Sequence, residues 1–281
     1  MKKFLVCIIA LAAVVACHKD NGPKHGSAVK FSVAVEPYFA TKATDTALEA
    51  GDRLTVFAGE PIDATALGTY NGSSLILDKA IYWNAGQKES TVFAAVYQKY
   101  GTVKGGPVFK YNLAEGWPYS FVRHNVFMVA ATEAAPGSPV NFTLKHPFSR
   151  INILINNTTG EAISKVTMEG VILEATLDIQ EKTLELGHNR TTFQAATLAT
   201  NSYAVIIMPQ TVAPTVTVST ASGETYRFTQ SPAFTFESGK AYSTELTLEK
   251  APATGAPVSL TFTVVPWTDG EALNYEAVGD N

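Results

Sequence analysis

The sequence predicts an all-β protein built as two antiparallel β-sandwich domains in tandem. Short apolar runs alternate with polar residues at period two, and they are rich in Val, Ile, Thr, Phe and Tyr. Gly, Pro, Asn and Asp punctuate these runs at short intervals. No segment keeps a 3.6-residue apolar period over three turns, so helical crossovers between parallel strands are not expected. About fifteen such runs are more than one small sandwich holds, hence two domains.

The chain opens on Met1-Lys2-Lys3 and a 13-residue apolar run from Phe4 to Ala16. That is too short for a bilayer-spanning helix, which needs about 20 residues, and it suits the core of a secretory signal. Val14-Val15-Ala16-Cys17 resembles a bacterial lipobox. The resemblance implies cleavage after residue 16 and a diacylglyceryl group on Cys17, which would hold the mature chain on a membrane through lipid. Residues 17–28 contain Gly22, Pro23 and Gly26 and are expected to form a flexible tether.

The first domain is expected over 29–147. Val29, Phe31, Val33 and Val35 alternate with Lys30, Ser32 and Ala34 as a half-buried strand, which Pro37 ends. Residues 40–52 are small and polar and form a loop. Strand-like runs follow at 53–58, 74–77, 80–83, 91–97, 108–113, 126–131 and 140–144. The second domain is expected over 148–281, with runs at 150–155, 164–168, 171–179, 203–208, 215–219, 225–229, 241–248 and 258–265. The breaker Pro136-Gly137-Ser138-Pro139 and the turn Asn156–Gly160 bracket the join. No internal repeat is visible.

Composition narrows the function. Formal net charge is −4, and −6 once Lys2 and Lys3 leave with the leader, so no basic stripe is available for nucleic acid. Hydrophobic residues make up 46% and charged residues 16%, enough for a substantial core. The two cysteines are Cys7, in the leader, and Cys17. The mature chain therefore has no internal disulfide and no catalytic thiol. No Gly-x-Ser-x-Gly elbow and no phosphate-cradling loop is present. His18, His25, His124, His146 and His188 lack metal-ligand spacing, and His146 before Pro147 suits a hydrogen-bonded structural role. Asp45, Glu49 and Asp52 do not have calcium-loop spacing. No metal, cofactor or enzymatic activity is expected. Lys42, among small residues in an extended loop, is accessible to a trypsin-like protease, but on the residues alone a solvated lysine is the favoured reading. Asp45-Thr46-Ala47 resembles a short bacterial O-glycosylation motif that would place a sugar on Thr46.

Several stretches together resemble the fimbrillin family of Bacteroidetes, the type V pilins. They include Thr41-Lys42-Ala43, Gly51-Asp52-Arg53-Leu54-Thr55-Val56-Phe57-Ala58, Ala80-Ile81-Tyr82-Trp83 and Thr91–Tyr97. Others are Val140–Ile151 with its His146-Pro147-Phe148-Ser149-Arg150 centre, Ile207-Met208-Pro209-Gln210, Phe236–Tyr242 and Val265-Pro266-Trp267-Thr268-Asp269-Gly270. The resemblance implies two transthyretin-like sandwiches and export as an outer-membrane lipoprotein. It also implies cutting by a trypsin-like protease in the loop after the first strand. Loss of that strand would open a groove, which the C-terminal segment of another fimbrillin subunit fills, and repetition would give a pilus. Carried onto this chain, the displaced strand is Val29–Val35 and the cut follows Lys42, with Arg53 as the alternative. The candidate donor is the alternating run Val258, Leu260, Phe262 and Val264, which suits a last core strand equally. Beyond Trp267 the tail is acidic with few apolar anchors, which fits a tip or accessory subunit better than a stalk subunit. A competing reading is a monomeric surface lipoprotein whose exposed aromatics hold a glycan or a host protein.

Overall fold

The computed structural model describes residues 25–36, 48–99, 103–117, 121–249, 258–259 and 262–265. Almost all regular structure among them is β. The chain begins with β1 (His25–Ala28), β2 (Phe31–Val35), β3 (Arg53–Ala58) and β4 (Ala64–Tyr70). It continues through β5 (Leu75–Leu77), β6 (Tyr82–Asn84), β7 (Thr91–Tyr97) and β8 (Val108–Asn112). A one-turn helix, α1 (Phe121–Asn125), precedes β9 (Met128–Ala134) and β10 (Val140–Leu144). Next come β11 (Ser149–Asn157), β12 (Ile163–Ile172), β13 (Glu174–Asp178), β14 (Thr183–Leu186) and β15 (Arg190–Gln194). Then follow β16 (Ala196–Ala199), β17 (Ser202–Ile207), β18 (Gln210–Val212), β19 (Thr215–Thr220) and β20 (Thr225–Thr229). The set closes with β21 (Phe234–Phe236), β22 (Ala241–Leu248), β23 (Val258–Ser259) and β24 (Thr263–Val265).

In each half of the chain two layers of strands face one another across a core. The first half has one sheet in the order β5-β4-β3-β7-β9. Facing it, β1 pairs antiparallel with β6 and β2 pairs with β10. The second half has sheets in the orders β15-β12-β19-β20-β23 and β16-β17-β11-β22-β24. These are all-β sandwiches, as expected. Pairing is mostly antiparallel, but β2 with β10, β11 with β22 and β20 with β23 are parallel, which the expectation of antiparallel sheets did not include.

The two halves share one pairing plan. The run β4-β3-β7-β9 matches β15-β12-β19-β20 strand for strand in chain order. In the facing layer the first strand of each half lies between an antiparallel and a parallel neighbour. For β1–β2 these are β6 and β10; for β11 they are β17 and β22. This duplication is carried by backbone pairing alone, so no sequence repeat marks it.

Several elements differ from expectation for local reasons. His25–Ala28, expected in the tether, is a strand, because Gly26 lets the backbone lie against Trp83, where a Cβ would come 2.8 Å from the Trp83 carbonyl oxygen. The run 171–179 divides into the end of β12 and β13. Before that division, the β12–β15 register slips by one residue at Gly170, whose φ is 82°.

The core is continuous across the halves. On β3 and β7 one set of side chains, Leu54, Val56, Phe93 and Ala95, fills the first sandwich. The opposite set, Phe57, Ala94 and Val96, joins the cluster of Phe148, Ile151, Ile153 and Val205 from the second. Burial on both faces explains why these strands are nearly unbroken apolar runs. Strand β8 reinforces the join by pairing with β13 over five residues, from Glu174 opposite Asn112 to Asp178 opposite Val108. Beyond the ladder, Gln180 Nε2 donates to the Val92 carbonyl at 3.1 Å, and the Leu113 amide donates to the Leu173 carbonyl at 2.9 Å.

Candidate functional site

The candidate site is the slot that residues 25–36 occupy. On one side, β1 lies against β6, with His25 opposite Asn84 and Ala28 opposite Tyr82. The Val29 amide extends this contact by donating to the Ile81 carbonyl at 2.9 Å. On the other side, β2 runs parallel to β10, from Phe31 opposite Val140 to Val35 opposite Leu144. Two further amides close the ladder: Val140 donates to the Lys30 carbonyl at 2.8 Å, and Glu36 donates to the Leu144 carbonyl at 2.9 Å. Polar side chains mark the rim. The Ser32 hydroxyl donates to Asn141 Oδ1 at 2.6 Å, and Lys145 pairs with Glu36 at 2.9 Å.

The slot floor is the core of the first sandwich. Val29 and Phe31 are buried, and Val33 and Val35 are half-buried against the same cluster. Phe31 stacks on Phe142 with centroids 5.8 Å apart, and it meets Phe93 edge-on at 5.6 Å. Trp83 meets Phe93 from the far side at 5.5 Å. Burying a side chain such as Val29 or Phe31 contributes about 2 kcal/mol. The segment is therefore a lid made of core residues. It is held as a strand, by main-chain hydrogen bonds on both sides and by alternate side chains in the core.

The candidate donor run lies elsewhere, on the second half. Val258 and Ser259 pair parallel with Phe228 and Thr229 of β20. Thr263 to Val265 pair antiparallel with Ser243 to Ala241 of β22, Val264 lying opposite Tyr242. Phe262 between them is buried, with its ring 5.5 Å from Phe234 and 5.1 Å from Phe236. In this chain the run closes the edges of both sheets of its own sandwich.

A family model described as fimbrillin-like matches residues 41–267. The chain belongs to the fimbrillin-like family. Among solved structures, a Bacteroides uniformis protein provisionally assigned to cell adhesion superimposes with TM-score 0.64 at 17% identity, covering 86% of this chain and 99% of that one. A second, from Bacteroides ovatus and assigned in the same way, gives TM-score 0.61 at 16% identity, covering 86% and 97%. The tip fimbrial protein Mfa3 from Porphyromonas gingivalis, with C-terminal truncation, gives TM-score 0.46 at 12% identity, covering 86% and 100%. No curated protein matches the chain. At these identities the Bacteroides uniformis and Bacteroides ovatus structures establish the shared fold alone.

Of the site residues expected from the sequence, Cys17, Lys42, Thr46 and Leu260 lie outside the described residues. Arg53 is exposed, but it opens β3, which is hydrogen-bonded on one side to β4 and on the other to β7. A protease needs a segment that can be drawn out as a free strand, and a central strand cannot be. His146 is buried, and its Nδ1 lies 3.2 Å from the Phe127 carbonyl, a hydrogen bond in which the ring N–H donates. Among the described residues no cluster of three His, Cys, Asp or Glu side chains could hold a metal ion.

Sequence reasoning missed the polar centre of the join between the halves. His124, on α1, is buried, and its Nδ1 is 2.9 Å from the Tyr111 hydroxyl. Trp117 lies parallel to its ring, and burial, with the Arg123 charge as a second cause, pushes His124 down to about 4. Arg150 is 1% exposed, yet carries its charge between the two sandwiches. Its guanidinium donates to Asn125 Oδ1 at 3.1 Å and Asn152 Oδ1 at 2.9 Å, and it lies 5.7 Å from the Phe121 ring centre. These residues tie α1 to β11. Nothing in the sequence distinguishes a buried Arg of this kind from one at a strand surface.

Proposed function

We propose that this fimbrillin-like chain is a structural subunit of a cell-surface fimbrium, joined to its neighbours by strand addition into the slot of β1 and β2. The observation that carries this is the lid itself. Residues 25–36 supply core side chains to the first sandwich, and they connect to the rest through the 37–47 segment that holds Lys42. One cut there separates the lid from the fold it closes. The chain would arrive as an outer-membrane lipoprotein through Cys17, and a trypsin-like protease would cut after Lys42, Arg53 being held in a central strand. The incoming segment would be 258–265 of another subunit, whose alternation at Val258, Leu260, Phe262 and Val264 matches the alternation of Val29, Phe31, Val33 and Val35. That segment must first leave the edges of β20 and β22. The acidic stretch after Trp267 supports a tip or accessory position over a stalk position. The role is mechanical and adhesive, not enzymatic.

Limited digestion of the purified full chain with a trypsin-like protease tests this. The expected result is one early cut after Lys42, followed by multimers that resist SDS, with Lys42→Ala blocking both. Chains that are cut after Lys42, have lost residues 25–36 and still remain monomeric at high concentration overturn the assembly reading and favour a monomeric surface receptor.

A further inference from the structure

We infer that the cleft between the two sandwiches is the resting berth of this chain's own acidic C-terminal tail, residues 266–281. The cleft has a volume of about 380 Å³. Thr143 of β10 and Lys145 just after it form one wall, and Leu177 and Leu184 of the β13–β14 hairpin form the other. Lys182, on the exposed turn of that hairpin, stands at the rim, and Ser238 lines the end nearest β22. Asp178 is also in the lining; one of its carboxylate oxygens accepts from the Glu181 amide at 3.0 Å.

Three observations select the occupant. The first is the shared pairing plan. In the second sandwich, residues 258–265 lie along the outer edges of β20 and β22. The equivalent strands of the first sandwich are β9 and β10, and the cleft opens where those two strands part, beyond their single bridge at Val129 and Lys145. A site equivalent to one that holds an extended strand has the shape for another. The second observation is the exit point. Val265 is opposite Ala241, three residues from Ser238, so the chain leaves β24 beside the mouth of the cleft. Sixteen extended residues reach roughly 50 Å, more than enough to traverse it. The third is charge. The tail carries Asp269, Glu271, Glu276 and Asp280 with no Lys or Arg, and it offers Trp267, Leu273, Tyr275 and Val278 to apolar walls. Lys182 at the rim is the complementary charge; Lys145 in the wall is already paired with Glu36. The outer edge of β14, which pairs only with β13 among the described residues, supplies main-chain groups for a strand to bind. The berth is distinct from the β1–β2 slot, and tail docking there does not depend on whether the chain assembles.

Photo-cross-linking of the full chain tests the berth. Tyr275→p-benzoylphenylalanine is placed in the tail, and isotopically heavy and light chains are mixed before irradiation. The expected cross-links fall in residues 143–147 and 177–184, and always within one chain, heavy to heavy or light to light. Lys182→Glu should reduce their yield at least about fivefold, and ~1 M NaCl should do so in the unaltered chain. Cross-links to other parts of the fold overturn the berth. Mixed heavy–light pairs overturn its intramolecular character and assign the cleft to a second copy. A yield indifferent to both charge and salt overturns the role of Lys182. Salt acts on the native chain, so the test holds even if Lys182→Glu fails to fold.

Discussion

At the scale of single residues, the join between the halves depends on polar groups that the interior must satisfy. His124 illustrates the consequence. Its folded pKa is about 4, below the unfolded value near 6.5, because burial and the Arg123 charge disfavour the imidazolium. Between those values the unfolded chain binds more protons than the folded one, so stability falls as pH drops from about 6.5 towards 4 and is complete above that window. The full shift corresponds to roughly 3 kcal/mol. Urea unfolding at pH 7 and pH 4.5 should show this loss in the native protein, and His124→Gln should remove most of it. A pH profile identical in the variant would mean other groups titrate. Arg150 follows a related rule. Its charge is tolerated because Asn125 and Asn152 accept from it and Phe121 lies beside it. Neither residue could be singled out from sequence, since His124 and Arg150 carry no local signature of burial.

At the scale of elements, the first strand was legible because its chemistry is local. Val29, Phe31, Val33 and Val35 alternate, and those four face the core. Strand β4 was not legible. Ala64, Ala66 and Gly68 have weak strand preference, and the strand exists because β3 and β5 pair with it. Gly68 is needed there for space: a Cβ would come 2.6 Å from the Leu75 side chain. The β8–β13 pairing was equally hidden, since it joins residues more than sixty positions apart and nothing local encodes it. The lid predicts its own behaviour after cutting. Val29 and Phe31 are buried and β2 is held by its ladder to β10, contacts that do not pass through residue 42, so cleavage alone should not release the segment. Size-exclusion chromatography of the nicked protein should recover both pieces together. Phe31→Ala removes about 3 kcal/mol of packing and should speed release roughly a hundredfold. Immediate loss of the segment from the native nicked protein would show that the lid is held only by its covalent connection.

At the scale of the whole molecule, the two sandwiches share a core and a strand pair. Phe57, Ala94 and Val96 sit in the same cluster as Ile151 and Val205, and β8 completes the sheet of β13 and β14. Tandem domains joined by a linker unfold separately; halves sharing a core do not. Calorimetry should give one transition whose van't Hoff enthalpy equals its calorimetric enthalpy. Two resolved transitions would mean that the interface contributes little. The continuity of the core across the halves was not legible in the sequence, because burial on both faces of β3 and β7 becomes visible only when the second sheet is in place.

The duplicated pairing plan has one more implication, which concerns valence. Each sandwich has a slot for its first strand, so the molecule contains two of them, filled by β1–β2 and by β11. A single backbone scission between residues 36 and 48 separates everything that occupies the first slot from everything that forms its walls. The second slot is different, because β11 is continuous with β10 on one side and with β12 on the other, and two scissions would be needed to empty it. A chain cut once there, if the severed segment then leaves, exposes one acceptor and never two. Any polymer propagated through that acceptor is linear, without branches.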